Sequence, residues 1–210
     1  MNSTLTKKEI FLLLLLASIS FTYIVDFMVL MPLQPQLESL FVMTPSQWST
    51  VVSSYSFAAF FTGLCTVFFI DRLDRKTFLL SAYLGFTIGT FLCGASDSYI
   101  ELVITRTLTG MFGGLISASV LAIVGGVIVY EKRGRAMGII MMGFSAATAL
   151  GVPIGIYFGF TYSWRVPFYS IGVVSLVLLI FGLKLIPSLK NHIKKTSNRD
   201  TLNNIQTIFT

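Results

Sequence analysis

Six stretches of this chain are mostly apolar and long enough to cross a bilayer as helices, which takes about 20 residues each. They run from approximately Ile10 to Pro32, Gln47 to Ile70, Thr77 to Ala95, Ile100 to Val129, Ala136 to Phe160 and Val166 to Pro187. Over the 210 residues, 54% are apolar and 11% are charged, with a mean hydropathy of +0.81. A soluble domain carries about 25% charged residues. This chain has too few charges to coat a water-facing surface. Most cytosolic enzymes, nucleic-acid readers and disordered tails are thereby excluded. The predicted fold class is all-α, an integral membrane bundle of six transmembrane helices spanning residues 1–187. Residues 188–210 form a polar, basic tail or the start of a linker.

The formal charge of +6 and pI near 9.4 would suggest nucleic acid in a soluble protein. In a membrane chain the same balance follows from topology, because short cytoplasmic loops collect Lys and Arg. Lys7 and Lys8 precede the first run. Arg72, Arg75 and Lys76 follow the second, and Lys132, Arg133 and Arg135 follow the fourth. Lys190, Lys194, Lys195 and Arg199 lie in the tail, and the opposite loops hold only Arg165. This alternation predicts a multi-pass protein of the cell membrane with both termini cytoplasmic. The first run could pass for a signal peptide, since Ala17-Ser18-Ile19 resembles a weak cleavage site. Its apolar pattern continues to Pro32, longer than a signal sequence needs, so an uncleaved helix is expected.

The outer loop from Leu33 to Ser46 is the one long connection. In the tail, Leu202, Ile205, Ile208 and Phe209 have the spacing of a short surface helix, with a disordered tail as the equal alternative. Cys65 and Cys93 fall at different membrane depths, too far apart for a disulfide, and read as packing residues. The single histidine, His192, has no ligand cluster around it. Neither a metal site nor a cofactor is expected.

Two ionisable residues interrupt apolar runs. Asp26 lies in the first and Arg106 in the fourth. A charge at the centre of a membrane helix costs about 2.5–3.5 kcal/mol on insertion scales, so it faces a cavity or a partner. Both fall at a similar depth near the outer side, where they can meet across a cavity. The competing reading has Arg106 snorkelling to the headgroups and Asp26 bonded locally. Tyr23, one turn before Asp26, is expected to contact lipid or the core, with the cavity wall as the alternative. In the fifth run, Gly143, Ala147, Gly151, Gly155 and Gly159 recur every four residues and place one smooth stripe along a helix. Pro153 within it removes a backbone donor and predicts a bend. Arg106, Gly110, Gly113 and Ser117 share one face of the fourth helix, followed by Gly125 and Gly126. The loop Asp71-Arg72-Leu73-Asp74-Arg75-Lys76 reads as a tight, salt-bridged hairpin.

Taken in order, these segments resemble the N-terminal half of a major facilitator superfamily (MFS) transporter of the drug:proton antiporter-like efflux type. The resemblance rests on the loop Asp71 to Lys76, on Arg106 to Gly110, on Gly143, Gly151, Pro153 and Gly155, and on Trp164-Arg165. It covers nearly the whole chain. Two positions depart from the family pattern, with Asp74 and Val67 standing where glycine is usual.

The resemblance implies a secondary transporter that exports a small organic molecule in exchange for protons by alternating access. It implies Asp26 and Arg106 as the residues of proton or substrate coupling. Asp71, Arg72, Arg75 and Lys76 would be a cytoplasmic gating motif, and Gly143, Gly151, Pro153 and Gly155 a helix-packing antiporter motif. The implied partners are the substrate, protons, the lipid bilayer and either a second six-helix half or a second copy. No nucleic acid is expected. A different class remains open, a truncated or non-transporting half acting as a structural or regulatory membrane subunit. A membrane enzyme is not expected, because the sequence holds no nucleophile motif or metal-ligand spacing.

Overall fold

The computed structural model describes residues 5–70 and 74–186. The tail and the predicted gating residues Asp71 and Arg72 lie outside these. Eight α-helices follow in order: α1 Lys7–Val29, α2 Gln34–Phe41, α3 Pro45–Phe69, α4 Arg75–Ala95, α5 Tyr99–Val127, α6 Arg133–Ala146, α7 Val152–Thr161 and α8 Arg165–Leu185. A π-helical turn, Ala147–Gly151, joins α6 to α7 into one interrupted rod. With that rod counted once and the short α2 set aside, six long helices correspond to the six predicted runs.

Polar residues set where the helices begin. Thr6 and Glu9 form a reciprocal capping box, with the Thr6 amide donating to Glu9 Oε2 at 2.7 Å and the Glu9 amide to Thr6 Oγ1 at 3.3 Å. The bond from the Thr6 amide holds the Glu9 carboxyl below its usual range. Thr44 and Gln47 repeat the box ahead of α3, whose first residue is Pro45. Ser98 caps α5 through the Glu101 amide.

Asp74 caps α4. Its carboxylate accepts from the Lys76 amide at 3.3 Å and from Thr77 Oγ1 at 3.1 Å. Its φ of −65° is open to any residue, so this turn has no need of the glycine usual at the position.

One expectation is revised. The outer connection from Leu33 to Ser46 is mostly helical, not a long loop. Pro35 near the start of α2 fits a helical first turn, and Leu33 and Leu37 are fully buried beneath it. The helix stops at Val42, which takes a left-handed φ of 50°. By composition alone, five helical segments among the described residues are long and apolar enough to cross a membrane, and α3 is the sixth long helix. At 25 residues it has the length, but Ser49, Thr50, Ser53, Ser54 and Ser56 dilute its first half. Its Ser and Thr hydroxyls fold back onto the helix, as Ser49 does to Pro45 O at 3.0 Å and Thr66 to Thr62 O at 2.6 Å.

The helices pack side by side. α5 lies between α3 and α4, α4 between α5 and α8, and α1 between α8 and the α6–α7 rod. α1 and α5 touch only sparingly, so a cleft opens between α3 and α5 on one side and α1 and α6 on the other. Behind it, Leu13, Leu16, Ile19, Tyr83, Phe86 and Ile123 fill one apolar core. Val25, Val29, Leu33, Trp48, Trp164 and Phe168 belong to a second. The outer faces are covered in exposed apolar side chains such as Phe57, Phe61, Ile104, Val173 and Phe181. Such a surface suits lipid and would aggregate in water.

The predicted stripe on the fifth rod faces α1. A Cβ on Gly143 would strike the Ala17 backbone, one on Gly151 the Val25 side chain, one on Gly155 Val29, and one on Gly159 Leu33. The partners advance along both helices in the same direction and in equal steps, so α1 and the rod run parallel in a fixed register. The π turn ends two residues before Pro153. It absorbs the missing backbone donor by lengthening the local hydrogen-bonding ring.

Candidate functional site

Asp26 and Arg106 meet. Arg106 Nη1 donates to Asp26 Oδ2 at 2.8 Å and reaches the Asp26 backbone carbonyl at 3.4 Å. Both side chains have 0% exposure. Thr90 of α4 donates to the other carboxylate oxygen, Oδ1, at 3.3 Å. The pair therefore ties α1 to α5 where these helices otherwise barely touch, with α4 as the third wall. A second polar bridge lies nearby, where Thr22 of α1 and Tyr83 of α4 share a hydrogen bond of 2.9 Å.

Burying two charges is offset only when they are paired and their remaining valences met. Here the guanidinium is only partly satisfied. Its Nε and Nη2 find no hydrogen-bond partner among the described residues. Instead the Tyr55 ring of α3 lies over the cation, 4.5 Å from the guanidinium carbon to the ring centroid. Phe27 packs against Tyr55, the rings tilted by 34° with centroids 5.2 Å apart.

The two charges meet as a direct pair behind the cleft rather than on its described wall. The cleft measures about 980 Å³, and its lining includes Tyr23, Phe27, Tyr55, Phe60, Ser117 and Phe144 but neither Asp26 nor Arg106. Among the described residues that line it, none is charged. Tyr55 and Phe27 stand between the cleft and the ion pair. Tyr23 does both: it lines the cleft and packs against the two apolar cores.

The predicted face of α5 divides accordingly. Arg106, Gly110 and Gly113 all surround Tyr55, a Cβ on Gly110 striking its backbone and one on Gly113 its hydroxyl oxygen. Ser117 lines the cleft. Tyr55, Phe27 and Thr90 were not foreseen. A tyrosine in a hydroxyl-rich helix and a threonine in an apolar one carry no sequence signal that separates them from packing residues. Cys65 and Cys93 are free thiols, one exposed and one buried.

At the end of the bundle that carries the basic loops, cations close the helix C-termini. Arg75 Nη1 donates to Ala122 O at 2.7 Å, in a space that a side chain on Gly126 would block. Arg133 donates to Gly125 O at 2.6 Å and Ile128 O at 3.1 Å, and Lys76 to Leu183 O at 2.9 Å. These carbonyls lie at the negative ends of α5 and α8. Lys132 pairs with Glu9 at 3.4 Å, fastening α6 to the start of α1. At the opposite end, Arg165 donates to Gly94 O at 3.0 Å and Asp97 at 2.6 Å.

A parallel α1–rod contact, a sealed charge pair and a cleft with no charge among its described lining characterise this helical membrane bundle. The chain belongs to the Major Facilitator Superfamily, whose family model matches residues 16–207. It is 29% identical over 177 residues to an uncharacterized MFS-type transporter of Bacillus subtilis, YceJ, covering 82% of this chain and 44% of that protein. It is 24% identical over 183 residues to a probable sugar efflux transporter of Mannheimia succiniciproducens, covering 87% of this chain and 46% of the relative. In fold it is similar to a bacterial homolog of the human lysosomal transporter Spinster in an inward-facing conformation. That match has a TM-score of 0.77 and 16% identity, over 89% of this chain and 44% of the other. The chain thus spans less than half the length of these relatives.

Proposed function

We propose that this chain is one half of a secondary transporter that moves a small organic molecule out of the cell against a proton flux, by alternating access at the face carrying the cleft. The observation that carries this reading is the Asp26–Arg106 pair, buried within the apolar layer and next to the cleft. Asp26 is the proton carrier, and Arg106 stabilises its charged form in the intervals when no proton is bound. Export as the direction draws support from the sugar efflux protein among the relatives. The cleft is completed by a second six-helix half.

The remaining roles follow from the geometry. The glycine stripe holds the rod against α1 while the π turn and Pro153 give it a place to flex. Arg75 and Lys76 latch the helix ends on the cytoplasmic side of the cell membrane, where both termini also lie. Opening that side would require the contacts at Ala122 and Leu183 to part.

The test uses this half joined to a second half in proteoliposomes. Asp26→Asn keeps the shape of the side chain but cannot release a proton. It should insert normally and lose transport driven by an imposed pH gradient. Gradient-driven transport at the unsubstituted rate would remove Asp26 from the mechanism.

A further inference from the structure

We propose that Tyr55 is a lid whose ring separates the cleft from the Asp26–Arg106 pair, so that displacement of this one side chain admits water and protons to the carboxylate. The role of the pair itself rests on the function proposed above; the lid is a statement about access to it.

Four observations meet at Tyr55. Its ring covers the Arg106 guanidinium on one side at 4.5 Å, and Tyr55 also contributes to the cleft wall. The ion pair behind it has no exposed surface. The seat for this one residue is cut by absent side chains, since Gly110 makes room for its backbone and Gly113 for its hydroxyl. That hydroxyl is buried with no hydrogen-bond partner among the described residues.

A buried hydroxyl without a partner carries an uncompensated desolvation cost. This cost is relieved when the ring swings toward the cleft and the hydroxyl meets water or a polar ligand there. The cation–π contact opposes the swing. Opposing terms suit a side chain that is displaced by what occupies the cleft. Swinging out would also uncover Arg106 Nε and Nη2, the two donors left without acceptors in the closed arrangement. Phe27, packed against Tyr55 with ring centroids 5.2 Å apart, guides the ring from the α1 side.

The test reads access to the chamber directly and needs no transport. Thr90→Cys is introduced into the full chain with Cys65→Ser and Cys93→Ala, and the chain is held in lipid nanodiscs. Thr90 is buried and touches Asp26 Oδ1, so the new thiol reports water reaching the pair. The probe is methanethiosulfonate ethylammonium, and the measurement is its labelling rate. Ser175→Cys in the same background is the control, because Ser175 is equally buried but sits in α8.

Tyr55→Ala should raise labelling at position 90 on the order of tenfold, as for a site freed from a local opening step, and leave position 175 unlabelled. Tyr55→Phe keeps the ring and should leave the rate at position 90 low. An increase with Tyr55→Phe as large as with Tyr55→Ala would show that the ring is not the barrier. If Tyr55→Ala exposes position 175 as well, or fails to fold, Gly113→Ala decides. Its added methyl presses on the hydroxyl end of the Tyr55 side chain, and it should open position 90 alone. An unchanged rate at position 90, with position 175 still closed, would overturn the lid. Because labelling is independent of proton coupling, this result stands apart from the outcome of Asp26→Asn transport.

Discussion

Gly143 is seated against the backbone carbonyl of Ala17, with no space between them for a side-chain carbon. The same closeness recurs at Gly151 with Val25 and at Gly155 with Val29. In lipid no hydrophobic driving force pulls helices together, so such backbone approach supplies much of their attraction. The stripe is therefore a contact surface rather than a lipid face.

Leucine at Gly143 or Gly151 should overpack this seam and cost about 1–3 kcal/mol. Gly138 on the same rod has open space where its Cβ would stand. Gly138→Leu should therefore leave folded yield and the thermal midpoint in detergent unchanged, while the other two lower both. Equal behaviour of all three variants would place the stripe in lipid.

Asp74 gives a different kind of prediction. As the cap of α4 it holds the Lys76 amide and the Thr77 hydroxyl. Asp74→Ala should cost about 1 kcal/mol, and Asp74→Gly only a few tenths, because glycine suits the capping position without the side chain. Thermal unfolding of the purified chain would rank the three. If the glycine variant is the least stable, capping is not what this aspartate supplies.

The architecture was legible because lipid imposes a coarse and strict rule. Runs such as Val166 to Pro187 have one reading, and every predicted boundary falls within three residues of the observed helix or helical rod. The glycine stripe was legible for a similar reason, since a period of four lays it along one helix face. The partner of each glycine was not legible, because the α1–rod register depends on tertiary packing.

Asp26 and Arg106 stood out as charges in apolar surroundings, and equal depth was enough to suggest that they meet. What hid them from the cleft was invisible, because Tyr55 and Phe27 look like any aromatic of a membrane helix. The helix α2 escaped for another reason. Its apolar residues are few, and its signals, Pro35 and a stop at Val42, are equally those of a loop.

Topology follows from the basic loops, whose cations Lys76, Arg133 and Lys132 cluster at one end of the bundle. Reporter fusions should place the ends of α3 and α5 in the cytoplasm and the α4–α5 turn near Asp97 outside. A fusion near Asp97 that reports from the cytoplasm would reverse the assignment.

The charge pair makes an asymmetric prediction. A carboxyl left alone in an apolar chamber can take up a proton and become neutral, whereas a guanidinium cannot lose one. Arg106→Met should therefore be the milder single change, although it also removes the contact with Tyr55. Asp26→Asn keeps an acceptor for Nη1 but leaves a buried cation with no counter-charge. Breaking a buried pair from one side costs about 3–5 kcal/mol, and Asp26→Asn should approach that range while still inserting. The double variant buries no charge. Its thermal midpoint in detergent should lie above that of Asp26→Asn alone, because removing Arg106 is harmful only while Asp26 is present. Strict additivity of the two single effects would mean that the residues do not act as a unit, despite their 2.8 Å contact.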